Sequence, residues 1–214
     1  MLPAPKTDRI SLADVLPSSF AALTGTSNRL ALPRANRTAV LLVDGLGADQ
    51  LRERIGHART LATAFTKKSV IESGFPTTTA SALTTLATGV LPGKHGMIGY
   101  TALDTHNDRV VNQLSGWDSK IDPATWQRQP TQFERAVRAG VQAAAIGPER
   151  YRDSGFSQAT LRGAEYIAAH SIDDRLAEAG RWLAGSDEPG ILYVYVPELD
   201  MVAHASGWQS DAWI

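Results

Sequence analysis

The chain has 214 residues, 43% of them hydrophobic and 20% charged, with a formal net charge of −1 and no cysteine. That length and balance fit one α/β domain with a sizeable core, and they leave no electrostatic footprint for nucleic acid or an anionic membrane surface. The missing cysteines exclude disulfides, thiolate zinc sites and cysteine nucleophiles.

Residues 1–37 read as an N-terminal arm that hugs the surface. Pro3, Pro5 and Pro17 punctuate it, a Ser/Thr/Gly/Asn cluster follows at 25–28, and one short helix is expected near 11–23. Asp8, Arg9 and Asp14 interrupt what would otherwise be an apolar leader, so no signal peptide is expected. No stretch approaches the roughly 18 apolar residues of a membrane span, and the cytoplasm is the default location.

The run Ala39 to Val43 lacks polar alternation, which predicts a strand buried on both faces of a parallel sheet. It ends in Asp44-Gly45, with a helix expected from about Ala48 to Gly56. A second, short strand is expected over Ser69 to Ser73. It leads through Gly74-Phe75-Pro76 into Thr77-Thr78-Thr79 and a small-residue helix from Ala80 to Ala87, closed by Thr88-Gly89. A hydroxyl cluster at a helix N-terminus can hold an anion and attack it, because the backbone N–H groups there are unpaired and the helix dipole favours negative charge. On these grounds alone any of the three threonines can be the nucleophile.

Residues 98–129 are polar and turn-rich and carry Trp117 and Trp126, the pattern of a hairpin or a lid over a cleft. Thr131 and Glu134 form a capping-box pair for a helix over 132–139, and a strand follows at 141–147. Ser171, with Asp173 and Asp174, starts a helix over 171–184. The run 191–196 is the last strand, followed by Pro197, Asp200 and His204. Strands alternating with helices predict a doubly wound, mostly parallel α/β sheet with helices on both faces.

Asp44, the threonines and the Asp200/His204 pair all follow predicted strands, on the sheet edge where such folds bind ligands. Carboxylates, a hydroxyl and an imidazole suit zinc or manganese, and a divalent ion makes an oxygen nucleophile usable at neutral pH. Each motif alone has a blander reading. Asp-Gly after a strand is usually a turn, a threonine at a helix start is usually a cap, and Asp-x-x-x-His is usually a solvated pair. Their conjunction raises the odds.

Together, L-L-V-D-G-L-G, F-P-T-T-T, L-P-G-K-H-G and Asp200-x-x-x-His204-x-x-Gly207 resemble the nucleotide pyrophosphatase/phosphodiesterase family of the alkaline phosphatase superfamily. The likeness runs from about residue 38 to the end, in the family's motif order. It implies an alkaline phosphatase-like core, two divalent ions (zinc first, manganese second), and hydrolysis of phosphodiester or pyrophosphate bonds in a small phosphate ester or nucleotide. Carried over position by position, Thr79 matches the nucleophile, passing through a phospho-threonine intermediate. Asp44 and Thr79 would hold one ion, Asp200 and His204 the other. Thr78 and Tyr100 would lie against the substrate, and His95 would be structural.

The chain also departs from the family. Tyr100 stands where the family has a phosphate-binding asparagine, which opens the choice between diester and monoester. Ala203 stands for a glycine, and two residues rather than none separate Pro197 from Asp200. The family's downstream Asp-His-Gly and final histidine have no counterpart, so each ion keeps two protein ligands. The resemblance thus implies the N-terminal part of a longer enzyme, poorly active by itself. Residues 38–214 would then be the first part of the catalytic domain, with 98–129 as an insertion.

The alternatives are a phosphomonoesterase, phosphonate hydrolase or phosphoglycerate mutase relative of the same superfamily, or a non-catalytic binding module that keeps the fold. A homo-oligomer is compatible with the sequence. A sulfatase lacks its Cys/Ser-x-Pro-x-Arg motif here. A P-loop or Rossmann enzyme lacks its glycine signature.

Overall fold

The computed structural model describes residues 9–214. Ten helices alternate with six strands there: α1 (Val15–Thr24), β1 (Arg37–Val43), α2 (Ala48–Glu53), α3 (Arg59–Ala64), α4 (Thr79–Thr88) and α5 (Pro92–His95) come first. They are followed by β2 (Thr101–Asp104), β3 (Arg109–Asn112), α6 (Pro123–Trp126), α7 (Gln132–Arg138), β4 (Gln142–Gly147) and α8 (Gly155–Thr160). The last are β5 (Glu165–Ala168), α9 (Ile172–Ala184), β6 (Gly190–Val196) and α10 (Glu198–Ser206).

The main sheet has the order β1-β6-β4-β5, and every pair in it is parallel. Parallel neighbours need crossovers, and helices supply them on both faces. Period-two alternation along β6 sorts the core. Ile191 and Tyr193 face α1, α4 and α7, packing with Leu16, Leu86 and Phe133. Leu192 and Val194 face α9, packing with Ala144, Ile146 and Ala179. This is the expected doubly wound, mostly parallel α/β sheet.

Two strand expectations need correction. β1 is not buried on both faces. It pairs only with β6 among the described residues, and its Leu41 is 51% exposed while Val40 and Leu42 pack on the core. An apolar run records what a strand can bury, not whether a neighbour covers it. The strand expected over Ser69 to Ser73 is absent. A 3-10 turn occupies Lys67–Ser69, and only Glu72 makes a parallel bridge, to Ser11. Its backbone is held by Ile10 and Leu12 at 3.0 and 2.9 Å instead of by the sheet. The expected helix after Asp44 also stops early, at Glu53, and continues as a 3-10 turn over Ile55–His57.

Other local signals behave as their chemistry dictates. Thr131 and Glu134 close a capping box on α7, and Ser171 and Asp174 close one on α9. α4 ends on Gly89, which takes the left-handed φ of 72° that terminates a helix. Residues 101–112 form an antiparallel hairpin, β2 against β3, whose Arg109 bridges Asp104 and Asp118. α1, within the first 37 residues, buries Leu16 completely in the core.

Candidate functional site

The C-terminal edge of the sheet is set by register. Val43 at the end of β1 pairs with Val196 at the end of β6, so Asp44 and Pro197 leave the sheet side by side. The Asp44 N–H donates to the Val196 carbonyl at 2.9 Å. The turn after Asp44 then meets the first turn of α10. Gly45 has φ of 77°, and a Cβ there would come within 2.7 Å of the Asp200 backbone, so only glycine allows this approach.

Asp44 is a half-buried carboxylate. One oxygen accepts from the Gly45 N–H at 3.0 Å and the other from the Tyr195 hydroxyl at 2.8 Å. Burial raises its pKa, and the Asp200 charge adds to the rise. Tyr195, Gly45 and the Thr79 hydroxyl oppose it by stabilising the charge. Burial first, and then the Asp44 charge, hold the Tyr195 phenol far above its usual range, so it stays a proton donor to the carboxylate.

Thr79 is the first residue of α4. Thr78 precedes it in extended conformation as the N-cap, with no side-chain cap hydrogen bond and no acidic residue in the first turn. The free N–H groups and the positive end of the helix dipole are left to whatever anion approaches. Thr78 Oγ1 and Ser81 Oγ are buried with no partner among the described residues. Buried hydroxyls normally find one, which marks this turn as built around something further.

Asp200 and His204 sit one turn apart on α10, with His204 Nε2 3.6 Å from Asp200 Oδ1. The imidazole is 82% exposed and the carboxylate 30%. Behind them Glu198, in the same first turn, takes a hydrogen bond from the fully buried Arg175 of α9. Arg175 also donates to the His170 carbonyl at 3.3 Å.

The predicted residues therefore fall into three groups. Thr79 and Asp200 both lie close enough to Asp44 to act on its charge, and His204 is joined to Asp200. Thr78 flanks Thr79. Tyr100 is 57% exposed, and its backbone carbonyl accepts from the Gln113 N–H at 2.8 Å. His95 is buried against α4, the helix that Thr79 opens. Its Nδ1 accepts from the Met97 N–H at 3.1 Å, its Nε2 faces Thr85 Oγ1 at 2.9 Å, and burial pushes its pKa down to about 4.

Among the described residues no three His, Asp or Glu side chains converge into a ready cation cage. The donor chemistry nonetheless fits a divalent ion. A carboxylate whose charge is disfavoured by burial and by the neighbouring Asp200, with a hydroxyl beside it and an imidazole joined to Asp200, is relieved by positive charge. Tyr195 and Ser81 were not foreseen from the sequence. The Tyr-x-Tyr spacing in β6 was the available sign for Tyr195, since it puts Tyr193 and Tyr195 on one face.

Residues 38–214 match the sequence model of a family described as type I phosphodiesterase / nucleotide pyrophosphatase. An uncharacterized pyrophosphatase/phosphodiesterase of Schizosaccharomyces pombe is 28% identical over 175 residues, covering 78% of this chain and 35% of that protein. Mouse ectonucleotide pyrophosphatase/phosphodiesterase family member 3 is 26% identical over 176 residues, covering 77% and 19%. Among solved structures, murine ectonucleotide pyrophosphatase/phosphodiesterase 5 aligns with a TM-score of 0.59 at 17% identity, over 84% of this chain and 48% of that one. That structure is of an inactive threonine-to-alanine form in complex with AMP. The chain thus spans less than half the length of each of these relatives.

Proposed function

The chain belongs to the type I phosphodiesterase / nucleotide pyrophosphatase family, and on that premise we propose that it contributes the nucleophile and the first metal donors for hydrolysis of phosphodiester or pyrophosphate bonds. The observation that carries this reading is the placement of Thr79, first residue of α4, beside the Asp44 carboxylate. The AMP-bound relative, inactivated by replacing a threonine with alanine, supports a nucleotide-like substrate and a threonine at the centre of the reaction.

Asp44 and Thr79 would hold one divalent ion, Asp200 and His204 a second, with zinc the first expectation and manganese the next. Bound there, the ions supply positive charge for the deprotonated threonine and for the phosphate oxygens. The residues do the rest. The α4 N-terminus orients the phosphate through free N–H groups, with Thr78 at its flank. Thr79 gives up its hydroxyl proton to solvent and its Oγ1 bonds to phosphorus as the bond to the leaving oxygen breaks, that oxygen taking up a proton. Water then bonds to phosphorus as the Thr79 oxygen leaves, and its proton restores the threonine hydroxyl. Tyr195 holds Asp44 in place and favours its charged form. Two protein donors per ion predict weak metal affinity for these residues by themselves.

Residues 38–214 are, on this reading, catalytic-domain sequence, residues 1–37 its N-terminal arm, and the hairpin region of 98–129 an insertion that can cover the cleft. The test is hydrolysis of a p-nitrophenyl phosphodiester by the full-length protein supplied with zinc or manganese. Thr79→Ala is expected to lose it, and full activity in that variant would overturn the assignment.

A further inference from the structure

The first turn of α10 is held from two sides. On one, the turn at Gly45 packs so closely on the Asp200 backbone that a Cβ there would come within 2.7 Å of it. On the other, Arg175 of α9 donates to Glu198, the first residue of α10 and two positions before Asp200. Arg175 is the largest fully buried side chain among the described residues. Its base is rigid. α9 opens on the Ser171–Asp174 capping box, and the guanidinium also donates to the His170 carbonyl at 3.3 Å, just ahead of that box.

The pair is poorly made for stability. Arg175 Nε and Glu198 Oε2 are both buried with no partner among the described residues, so each forgoes a hydrogen bond that water would give it. Apolar side chains of similar volume commonly stabilise a fold as well as a buried ion pair does, or better. What a guanidinium adds is direction. Its donors lie in one fixed plane, so a carboxylate bound to it is held in place together with the helix turn that carries it. Asp200 lies in that turn and His204 one turn further on.

We infer that Arg175 is a positioning residue for the second ion: through Glu198 it sets the first turn of α10, so that Asp200 and His204 meet one ion together. The inference rests on the proposed placement of that ion. It adds a residue on another helix that touches neither the ion nor the substrate.

The test is zinc affinity of the full-length protein, measured by competition with a chromophoric chelator. Four proteins are compared: unaltered, Asp200→Asn, Arg175→Met combined with Glu198→Leu, and all three substitutions together. Asp200→Asn is expected to weaken binding. The paired substitution, which strands no charge, should weaken it about 10–100-fold, the scale of losing a group that orients a metal ligand. With Asp200 already replaced, the paired substitution should cost little more, because the ligand it orients has gone. Glu198→Asp, shorter by one methylene, serves in place of the paired variant if that protein does not fold.

Zinc affinity unchanged by Asp200→Asn would overturn the placement of an ion on α10, and the role of Arg175 with it. A loss with Asp200→Asn and none with the paired substitution would overturn the positioning role alone. The same loss from the paired substitution with and without Asp200 would make Arg175 a general support of the fold, which also overturns it.

Discussion

Tyr195 donates a 2.8 Å hydrogen bond to Asp44, from the strand next to the one that delivers the carboxylate. The parallel register of β1 and β6 makes the pairing, so it is a product of the fold and not of local sequence. The phenol favours charge on a carboxylate that burial disfavours.

Tyr195→Phe removes that donor and keeps the ring. Asp44 loses one of the contacts that lower its pKa, so its pKa rises further. The charged form is the one that attracts a cation, so the acid limb of metal binding should move to higher pH. The proton then competes with zinc for Asp44 at higher pH, so zinc affinity on the acid side of neutral should fall. Calorimetric titration of both proteins at several pH values measures it. An unchanged limb would mean that Tyr195 only fills space.

Gly45→Ala forces a Cβ into the Asp200 backbone at a φ that side chains resist. The turn and the start of α10 must separate, which pulls Asp200 from Asp44. We expect a loss of about 1–2 kcal/mol in stability from the left-handed backbone alone, and a larger proportional loss of metal affinity. Chemical denaturation and metal titration on the same variant separate the two.

Arg175 is fully buried and faces Glu198, whose side chain is 37% exposed. Breaking a buried pair from one side costs about 3–5 kcal/mol, and partial solvent access to Glu198 places Arg175→Met near the lower end. Arg175→Met combined with Glu198→Leu should regain part of that stability, because no buried charge is stranded. Thermal unfolding of the single and double variants tests the sign.

His95 makes the fold sensitive to acid. Its pKa falls from 6.5 unfolded to about 4 folded, because burial disfavours the imidazolium. A group depressed in this way contributes stability that is present above the unfolded value and is lost as pH falls toward about 4. The shift corresponds to about 3 kcal/mol at most. Unfolding free energies at pH 7 and pH 4.5 should differ more in the unaltered protein than in His95→Gln, and equal differences would exclude His95 as the source.

Much of this was legible in the residues. Asp44 closes an apolar strand, Thr79 opens a helix, and Asp200 and His204 sit at helical spacing, all readable from local pattern. What the sequence concealed was tertiary. Exposure of Leu41 depends on which strand lies beside β1, and an apolar run looks the same in the centre or at the edge. Ser69 to Ser73 carries strand-type residues, yet the sheet offers that segment no ladder. Tyr195 reads as one more apolar position in β6 until the register places its hydroxyl on Asp44.

The central claim is that Thr79 carries the phosphoryl group. The most direct measurement is mass spectrometry of metal-loaded protein quenched during turnover of a phosphodiester, followed by peptide mapping. The account predicts a phosphoryl adduct on Thr79 that vanishes in Thr79→Ala together with turnover. Turnover that leaves Thr79 unmodified and persists in Thr79→Ala would contradict it.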